Sequence, residues 1–81
     1  MGKNVEIYTT PTCAFCHATK EFFKEHNVTF TEHDVASDEE SRTKMIELSG
    51  QMGVPVIKIG DELIIGFNKN KLAEALGVNN E

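Results

Sequence analysis

Cys13 and Cys16 are the two cysteines of this 81-residue sequence, and Ala14 and Phe15 separate them. The thiolate form of cysteine attacks disulfides, and an ordinary free cysteine has a pKa of about 8.5. A helix N-terminus stabilises an anion through its unpaired backbone N–H groups and its dipole. This environment, found in Cys-x-x-Cys motifs, can bring the pKa of a cysteine down to about 3.5–7.5. The pair therefore predicts a reactive thiolate at Cys13, at the start of a helix.

Cys16 lies three residues after Cys13, which places it one helical turn later on the same helix face. Two cysteines in this arrangement are close enough to form a disulfide. We expect Cys13 to attack a substrate disulfide and form a mixed disulfide. Cys16, which we expect to be the more buried sulfur, then attacks the Cys13 sulfur and releases the reduced substrate. The spacing thus predicts Cys13 and Cys16 as the catalytic residues of thiol–disulfide exchange.

Metal binding is the alternative chemistry for such a pair. A structural zinc site takes about four ligands, but the sequence has no second cysteine pair, and His17, His26 and His33 show no ligand spacing. The sequence therefore predicts no metal site within one chain. Cysteines from two subunits together could still hold an iron–sulfur cluster, so a cluster or metal carrier remains the alternative function.

The composition excludes several classes of protein. Apolar residues make up 40% of the chain, and no apolar run approaches the roughly 20 residues that span a bilayer. The formal net charge of −5 and the lack of a basic patch argue against nucleic acid as a partner. A single close cysteine pair without a signal peptide indicates the reducing cytoplasm. We expect one domain over residues 1–81, with no membrane partner, that acts as a monomer.

The pattern of apolar residues predicts the element order β-α-β-α-β-β-α. Ser37 and Glu40 are spaced as a capping box that opens the second helix, Gly60-Asp61 forms a hairpin turn, and Asn68 is the N-cap of the last helix. The predicted strands are residues 5–9, 28–35, 54–59 and 63–65, and the predicted helices are residues 13–26, 38–49 and 69–76.

A strand, a helix and a strand in succession imply a right-handed crossover and parallel pairing, whereas the closing hairpin is antiparallel. We therefore predict an α/β fold, a mixed four-stranded sheet flanked by three helices. On the first helix, Lys20 and Lys24 alternate with Glu21 and Glu25, which predicts a solvated helix face.

Three motifs resemble the glutaredoxins, and more narrowly the small bacterial glutaredoxin-like redoxins that include electron donors of ribonucleotide reductase. The resemblance extends over residues 5–76 and implies the thioredoxin fold, a redox-active disulfide, and a role in electron transport and cell redox homeostasis. The motifs that carry it are Thr9-Thr10-Pro11-Thr12-Cys13-Ala14-Phe15-Cys16, Gly53-Val54-Pro55 and Gly66-Phe67.

The resemblance also implies a set of binding residues for a substrate peptide or glutathione. Pro55 matches a cis-proline that faces the cysteines, and Val54 before it matches a residue whose backbone pairs with the ligand. Gly66 matches a turn position where the missing side chain lets a ligand backbone approach. The full set of implied substrate- or glutathione-binding residues is Thr12, Phe15, Val54, Pro55, Gly66, Phe67 and Asn68.

Several positions depart from the typical glutaredoxin pattern. Thr10 stands where a lysine usually contacts a glutathione carboxylate, Ile65 replaces a glycine, and Asn68 and Lys69 replace two acidic residues. These departures leave two sources of reducing equivalents open, glutathione or an NADPH-dependent, thioredoxin-reductase-like flavoenzyme. The expected substrates are protein disulfides or glutathione mixed disulfides, and no cofactor is expected to be bound.

Overall fold

The computed structural model describes residues 4–78 and confirms the predicted element order. Each strand is short, and the longest helix is the one that follows the first strand. The elements are β1 (Val5–Thr9), α1 (Ala14–Glu25), β2 (Thr31–Asp34), α2 (Glu39–Ser49), β3 (Val56–Ile59), β4 (Glu62–Ile65) and α3 (Lys69–Leu76).

The strands form one mixed sheet in the order β2-β1-β3-β4. β1 pairs with β2 in parallel, as expected of a strand–helix–strand crossover, and pairs with β3 antiparallel; β3 and β4 form the antiparallel hairpin. The predicted mixed four-stranded α/β sheet is therefore confirmed. β1 is a central strand, so the loop that follows it leaves the sheet between two neighbours.

The two faces of the sheet carry separate apolar clusters, because neighbouring residues of a strand point to opposite faces. Ile7 of β1 faces α1 and α3, while Tyr8 faces α2. The first cluster, called here the α1/α3 cluster, consists of Val5, Ile7, Phe22, Phe23, Ile57, Ile59, Ile64, Leu72, Ala73 and Ala75. The second, called the α2 cluster, consists of Tyr8, Val35, Met45 and Val56.

The predicted capping box at the start of α2 is wrong. The backbone amides of Ser37 and Asp38 both donate to the Asp34 carbonyl, at 3.3 and 3.0 Å, so these residues belong to a turn. Asp38 rather than Ser37 is the N-cap, and its side chain makes no cap hydrogen bond to the backbone. Its Oδ2 accepts instead from Ser41 Oγ at 2.7 Å. At the other end, α2 ends at Gly50 as expected, with a φ of 73°.

Two strands are shorter than predicted. Val28 is not part of β2, because its amide donates to the Phe23 carbonyl at 2.8 Å and thereby continues the end of α1. β3 begins only at Val56, after Pro55, which has no N–H to donate to a neighbouring strand. No helix within residues 4–78 is long and apolar enough to cross a bilayer.

Candidate active site

Three segments of the chain meet at one end of the sheet, and the strand register explains why. Tyr8, near the end of β1, pairs with Val56 at the start of β3, and Val56 pairs with Ile65 at the end of β4. The amide of Gly66 donates to the Pro55 carbonyl at 2.9 Å, which continues this pairing past the strands. The loop that leads to Cys13 therefore begins beside the proline segment and the turn after β4.

Cys13 is the N-cap of α1 and is half-buried. Its φ and ψ of −88° and 112° are those of extended backbone, and its amide donates to the Thr10 carbonyl at 3.3 Å across the turn that contains Pro11. Its Sγ accepts a hydrogen bond from the Cys16 backbone amide at 3.0 Å. This is the usual bond of an N-cap side chain, with sulfur as the acceptor. An N–H group directed at the sulfur stabilises negative charge on it.

Cys16 lies one turn deeper, and its side chain is 1% exposed, which confirms that it is the more buried of the two cysteines. Both cysteines are free thiols. Burial is the main cause that raises the pKa of the Cys16 thiol to about 12, and a hydrogen bond to Cys13 is the second cause. At neutral pH the Cys16 thiol is therefore protonated. The two sulfurs are in contact but differ in access and in environment, and this difference suits an attacking thiol and a resolving thiol.

The proline segment has the backbone that the resemblance implies. The peptide bond between Val54 and Pro55 is cis. Pro55 is buried, whereas Val54 is half-buried and its side chain packs against the α2 cluster. Gly66 has a φ of 84°, a conformation that favours glycine, and a Cβ added there would meet no atom within 4 Å. The backbone conformation therefore favours glycine at this position, and the space next to it is open.

The three segments that meet at this end of the sheet expose apolar side chains and carry no charged residue. The exposed apolar side chains are those of Phe15 (65% exposed), Met52 (67%) and Ile65 (49%). Thr12 is exposed as well. Residues 9–16, 50–57 and 63–68, the segments that form this end of the sheet, contain no aspartate, glutamate, lysine, arginine or histidine. We call this region the neutral end. It offers apolar side chains and backbone groups to a ligand, and no ionic partner of its own.

Two of the implied binding residues have structural contacts as well. Phe67 is half-buried and packs against the α1/α3 cluster. Asn68 is the N-cap of α3, as predicted, and its Oδ1 accepts from the Lys71 amide at 3.2 Å. The side-chain oxygen of Asn68 is thus engaged within the chain, while the rest of this exposed side chain faces solvent.

The sequence missed a charged cluster beside α1. Lys20 does not belong to a solvated helix face as predicted: its side chain is 21% exposed, and its Nζ lies 2.9 Å from Glu32 Oε2. The same carboxylate oxygen accepts from Thr9 Oγ1 at 2.8 Å. These two hydrogen bonds hold the pKa of Glu32 below its usual range, and the bond from Lys20 has the larger effect. Lys24, by contrast, is exposed as predicted. No local pattern could reveal this cluster, because its members come from three elements.

A cavity of about 750 Å³ lies away from the cysteines, beside α2. Its lining includes Tyr8, whose buried hydroxyl has no hydrogen-bond partner, together with His33. Within residues 4–78 no group of three or more His, Cys, Asp or Glu side chains is placed to hold a metal ion.

Comparison with known proteins gives the same class of molecule as the fold. The chain is similar to the thioredoxin-like protein BC3987 of known structure, with a TM-score of 0.85, 34% identity, and coverage of 90% of this chain and 100% of that one. It is also similar to the glutaredoxin-like protein NrdH-redoxin from Escherichia coli, with a TM-score of 0.78, 27% identity, and coverage of 88% and 92%. The fold is the thioredoxin fold, and a close dithiol pair sits at the start of its first helix.

The family follows from the sequence comparison. The family model described as Glutaredoxin matches residues 5–64. A glutaredoxin-like 8.6 kDa protein in the rubredoxin operon of Clostridium pasteurianum is 47% identical over 68 residues, which are 84% of this chain and 91% of that protein. The chain therefore belongs to the glutaredoxin family, as its motifs led us to expect. Members of this family are thiol–disulfide oxidoreductases, and this chain is an enzyme of that class.

Proposed function

We propose that this protein reduces protein disulfides by a dithiol mechanism, with Cys13 as the nucleophile and Cys16 as the resolving thiol. One observation carries the proposal: Cys13 is half-buried at a helix start and its sulfur accepts a backbone N–H bond at 3.0 Å, while Cys16 is 1% exposed. A substrate disulfide therefore meets Cys13 first, and Cys16 lies directly behind it.

The reaction proceeds in two exchanges. The Cys13 thiolate attacks one sulfur of the substrate disulfide; a Cys13–substrate disulfide forms, and the other substrate sulfur leaves as a thiolate that takes up a proton. Cys16 then loses its proton and attacks the Cys13 sulfur. The Cys13–Cys16 disulfide forms, and the second substrate sulfur leaves as a thiolate that takes up a proton. The substrate has gained two electrons from the cysteine pair and two protons, of which Cys16 released one and solvent supplied the other.

The neutral end supplies the binding surface in this proposal. Thr12 and Phe15 flank Cys13, and the half-buried Val54 and the buried Pro55 form the wall opposite, where the Val54 backbone pairs with an extended substrate segment. Gly66, Phe67 and Asn68 border the same surface, and the open space at Gly66 admits the substrate backbone.

The charge distribution favours protein substrates over free glutathione. Glutathione carries carboxylate groups at both of its ends, and an anionic ligand is best held by cationic side chains. The neutral end has no cationic side chain. Along the chain, the cation nearest to its last segment, residues 63–68, is Lys69 at the start of α3. We therefore propose a thioredoxin-reductase-like flavoenzyme as the source of electrons, with glutathione as the alternative. The thioredoxin-like activity profile named for NrdH-redoxin supports this choice.

The proposal extends to the setting in which the enzyme works. We propose that it acts as a monomer in the cytoplasm and serves cell redox homeostasis. A single close cysteine pair suits a reducing compartment, where a persistent structural disulfide is unusual. The alternative is a cluster or metal carrier in which two subunits each supply cysteines.

The test is disulfide reduction followed by NADPH oxidation in two parallel assays. One assay contains thioredoxin reductase, and the other contains glutathione with glutathione reductase; insulin is the protein disulfide in both. We expect turnover by wild type in the first assay, and no turnover above background by Cys13→Ser in either. A Cys13→Ser variant that matches wild type in both assays would end the proposal.

The resolving thiol has its own test. Cys16→Ser retains the nucleophile but cannot close the second exchange, so we expect stable mixed disulfides between Cys13 and the substrate in non-reducing electrophoresis. Turnover in the glutathione assay alone would reassign the electron donor and leave the roles of the two cysteines unchanged. Anaerobic purification with iron analysis is the control for the carrier alternative.

A further inference from the structure

Lys20 is the charged side chain that α1 places one turn behind the resolving cysteine. Residues four apart on a helix lie on the same face, about 5–6 Å apart between their Cβ atoms. Long helical side chains also point back toward the helix N-terminus. Lys20 therefore lies on the same face of α1 as Cys16, one turn further from the helix N-terminus.

Two residues of the sheet hold Lys20 in place. Glu32 of β2 binds its ammonium group at 2.9 Å, and Thr9, at the end of β1, donates to the same carboxylate oxygen at 2.8 Å. Thr9 is 2% exposed, so the carboxylate is fixed from inside the fold. A surface lysine normally moves among many rotamers. The ammonium group of Lys20 is restrained because it binds Glu32, and Glu32 is itself bound by the buried Thr9.

The charged and titratable groups around Cys16 are few. Cys13 is the N-cap of α1, and His17 and Lys20 belong to the same helix. Glu32 belongs to β2 and binds Lys20. Burial is the main cause that raises the pKa of Cys16, and the positive charge of Lys20 acts in the opposite direction. His17 is exposed, and its Nε2 lies 3.4 Å from the Pro11 carbonyl. Lys20 is thus the restrained cation of this group.

We propose that Lys20, held by Glu32 and Thr9, is a positioning residue that accelerates the second exchange by stabilising the thiolate of Cys16. This inference rests on the proposed function and assigns a role to a cluster outside the dithiol pair. In the second exchange, Cys16 releases its proton to solvent, its sulfur forms a bond to Cys13, and the substrate sulfur leaves with the electron pair of the broken bond. The ammonium group neither gives nor takes a proton; its charge lowers the cost of the anion that must form at the buried sulfur.

A chromogenic aromatic disulfide, dithio-bis-nitrobenzoate, separates the two exchanges in a stopped-flow experiment. The reduced enzyme releases one equivalent of the coloured thiolate when Cys13 attacks, and the second when Cys16 displaces the mixed disulfide. The ratio of the two rates reports the second exchange relative to the first. The variants are Lys20→Met, Lys20→Arg and, as a control of equal charge change on the same helix, Lys24→Met.

We expect Lys20→Met to lower this ratio about two- to fivefold, the size of one partly screened charge interaction. Lys20→Arg should restore the ratio because it keeps the charge, and Lys24→Met should leave it at the wild-type value. Added salt should slow the second phase of wild type more than that of Lys20→Met, because salt screens charge interactions. Merely structural support from Lys20 would not depend on salt.

The inference is overturned if Lys20→Met leaves the ratio unchanged, if Lys24→Met lowers it equally, or if Lys20→Arg fails to restore it. The failure of the proposed function looks different. In that case wild type would show no first phase that depends on Cys13, and a Cys13→Ser variant would release colour at the wild-type rate.

Discussion

The two faces of the sheet are built differently although they share the same strands. On one face, α1 and α3 cover a cluster of ten buried residues that includes Phe22 and Phe23. On the other, α2 covers a cluster of four, Tyr8, Val35, Met45 and Val56, beside a cavity of about 750 Å³. The helix that carries the cysteines therefore rests on the deeper of the two cores.

Charge is also distributed unevenly over the molecule. The cavity beside α2 is lined by four carboxylates, those of Asp38, Glu39, Glu40 and Glu47, together with Lys44 and His33. The three segments of the neutral end, by contrast, contain no charged residue. A negative charge near Cys13 would disfavour the thiolate that we propose there.

Core truncation tests the difference in packing and has the largest expected effect. Phe23 and Met45 are both fully buried, one in each cluster. We expect Phe23→Ala to lower the free energy of unfolding by about 3–5 kcal/mol, and Met45→Ala by about 2–3 kcal/mol, because a site beside a cavity collapses more easily. Urea unfolding followed by circular dichroism measures both. An equal or larger loss for Met45→Ala would contradict the comparison.

Truncation of the exposed aromatic side chain tests the neutral end as a contact surface. Phe15→Ala should lower kcat/KM for a protein disulfide about tenfold, equivalent to about 1.4 kcal/mol, because the apolar contact beside Cys13 is lost. Ile46→Ala on α2, whose side chain is 36% exposed, is the matched control and should keep the wild-type value. If both variants lose activity equally, the neutral end is not the docking surface.

Removal of a buried hydroxyl group should change the free energy of unfolding in opposite directions on the two faces of the sheet. The buried Tyr8 hydroxyl on the α2 side has no partner, so Tyr8→Phe should raise the free energy of unfolding by up to about 1 kcal/mol. Thr19 of α1 is fully buried and donates to the Phe15 carbonyl at 2.8 Å, so Thr19→Val should lower it by about 1 kcal/mol. Chemical denaturation of both variants gives the signs. A loss of stability in Tyr8→Phe would mean that the cavity supplies a partner.

The smallest expected effect concerns the ion pairs. The pKa of Glu32 is lowered in the folded state by Lys20 and Thr9, so the stabilisation that it provides is present at neutral pH and is lost as the pH falls below about 4.3, its unfolded value. Glu32→Gln should cost about 0.2–1 kcal/mol at neutral pH, and this difference from wild type should vanish in acid. Denaturation at several pH values measures it.

Glu39 on α2 is the control for that experiment. Its side chain is 87% exposed and its carboxylate lies 3.7 Å from Arg42, so the loss of this ion pair in Glu39→Gln should cost less than about 0.2 kcal/mol at neutral pH. A loss equal to that of Glu32→Gln would show that the two faces hold their ion pairs equally well.

Local signals in the sequence predicted most of the fold and the position of the cysteine pair in it. The spacing of Cys13 and Cys16 and the run of apolar residues after them placed the pair at the start of a helix, and Asn68 marked the cap of the last helix. The capping box at Ser37 failed, because the amides of Ser37 and Asp38 were already bonded to Asp34. Such competition between two local motifs is decided by the turn that precedes the helix, which composition does not reveal.

The element order and the closeness of the two cysteines could be predicted from local patterns, since helix periodicity, caps and a three-residue spacing act between near neighbours. The burial of Cys16 was expected and is confirmed, but the contact of Lys20 with Glu32 across 12 positions of chain depends on the tertiary structure. The parallel register of β1 and β2 pairs Glu32 with Ile7, so that the Glu32 side chain reaches both Thr9 and Lys20. Contacts of this kind depend on where distant strands align, and no local pattern records that alignment.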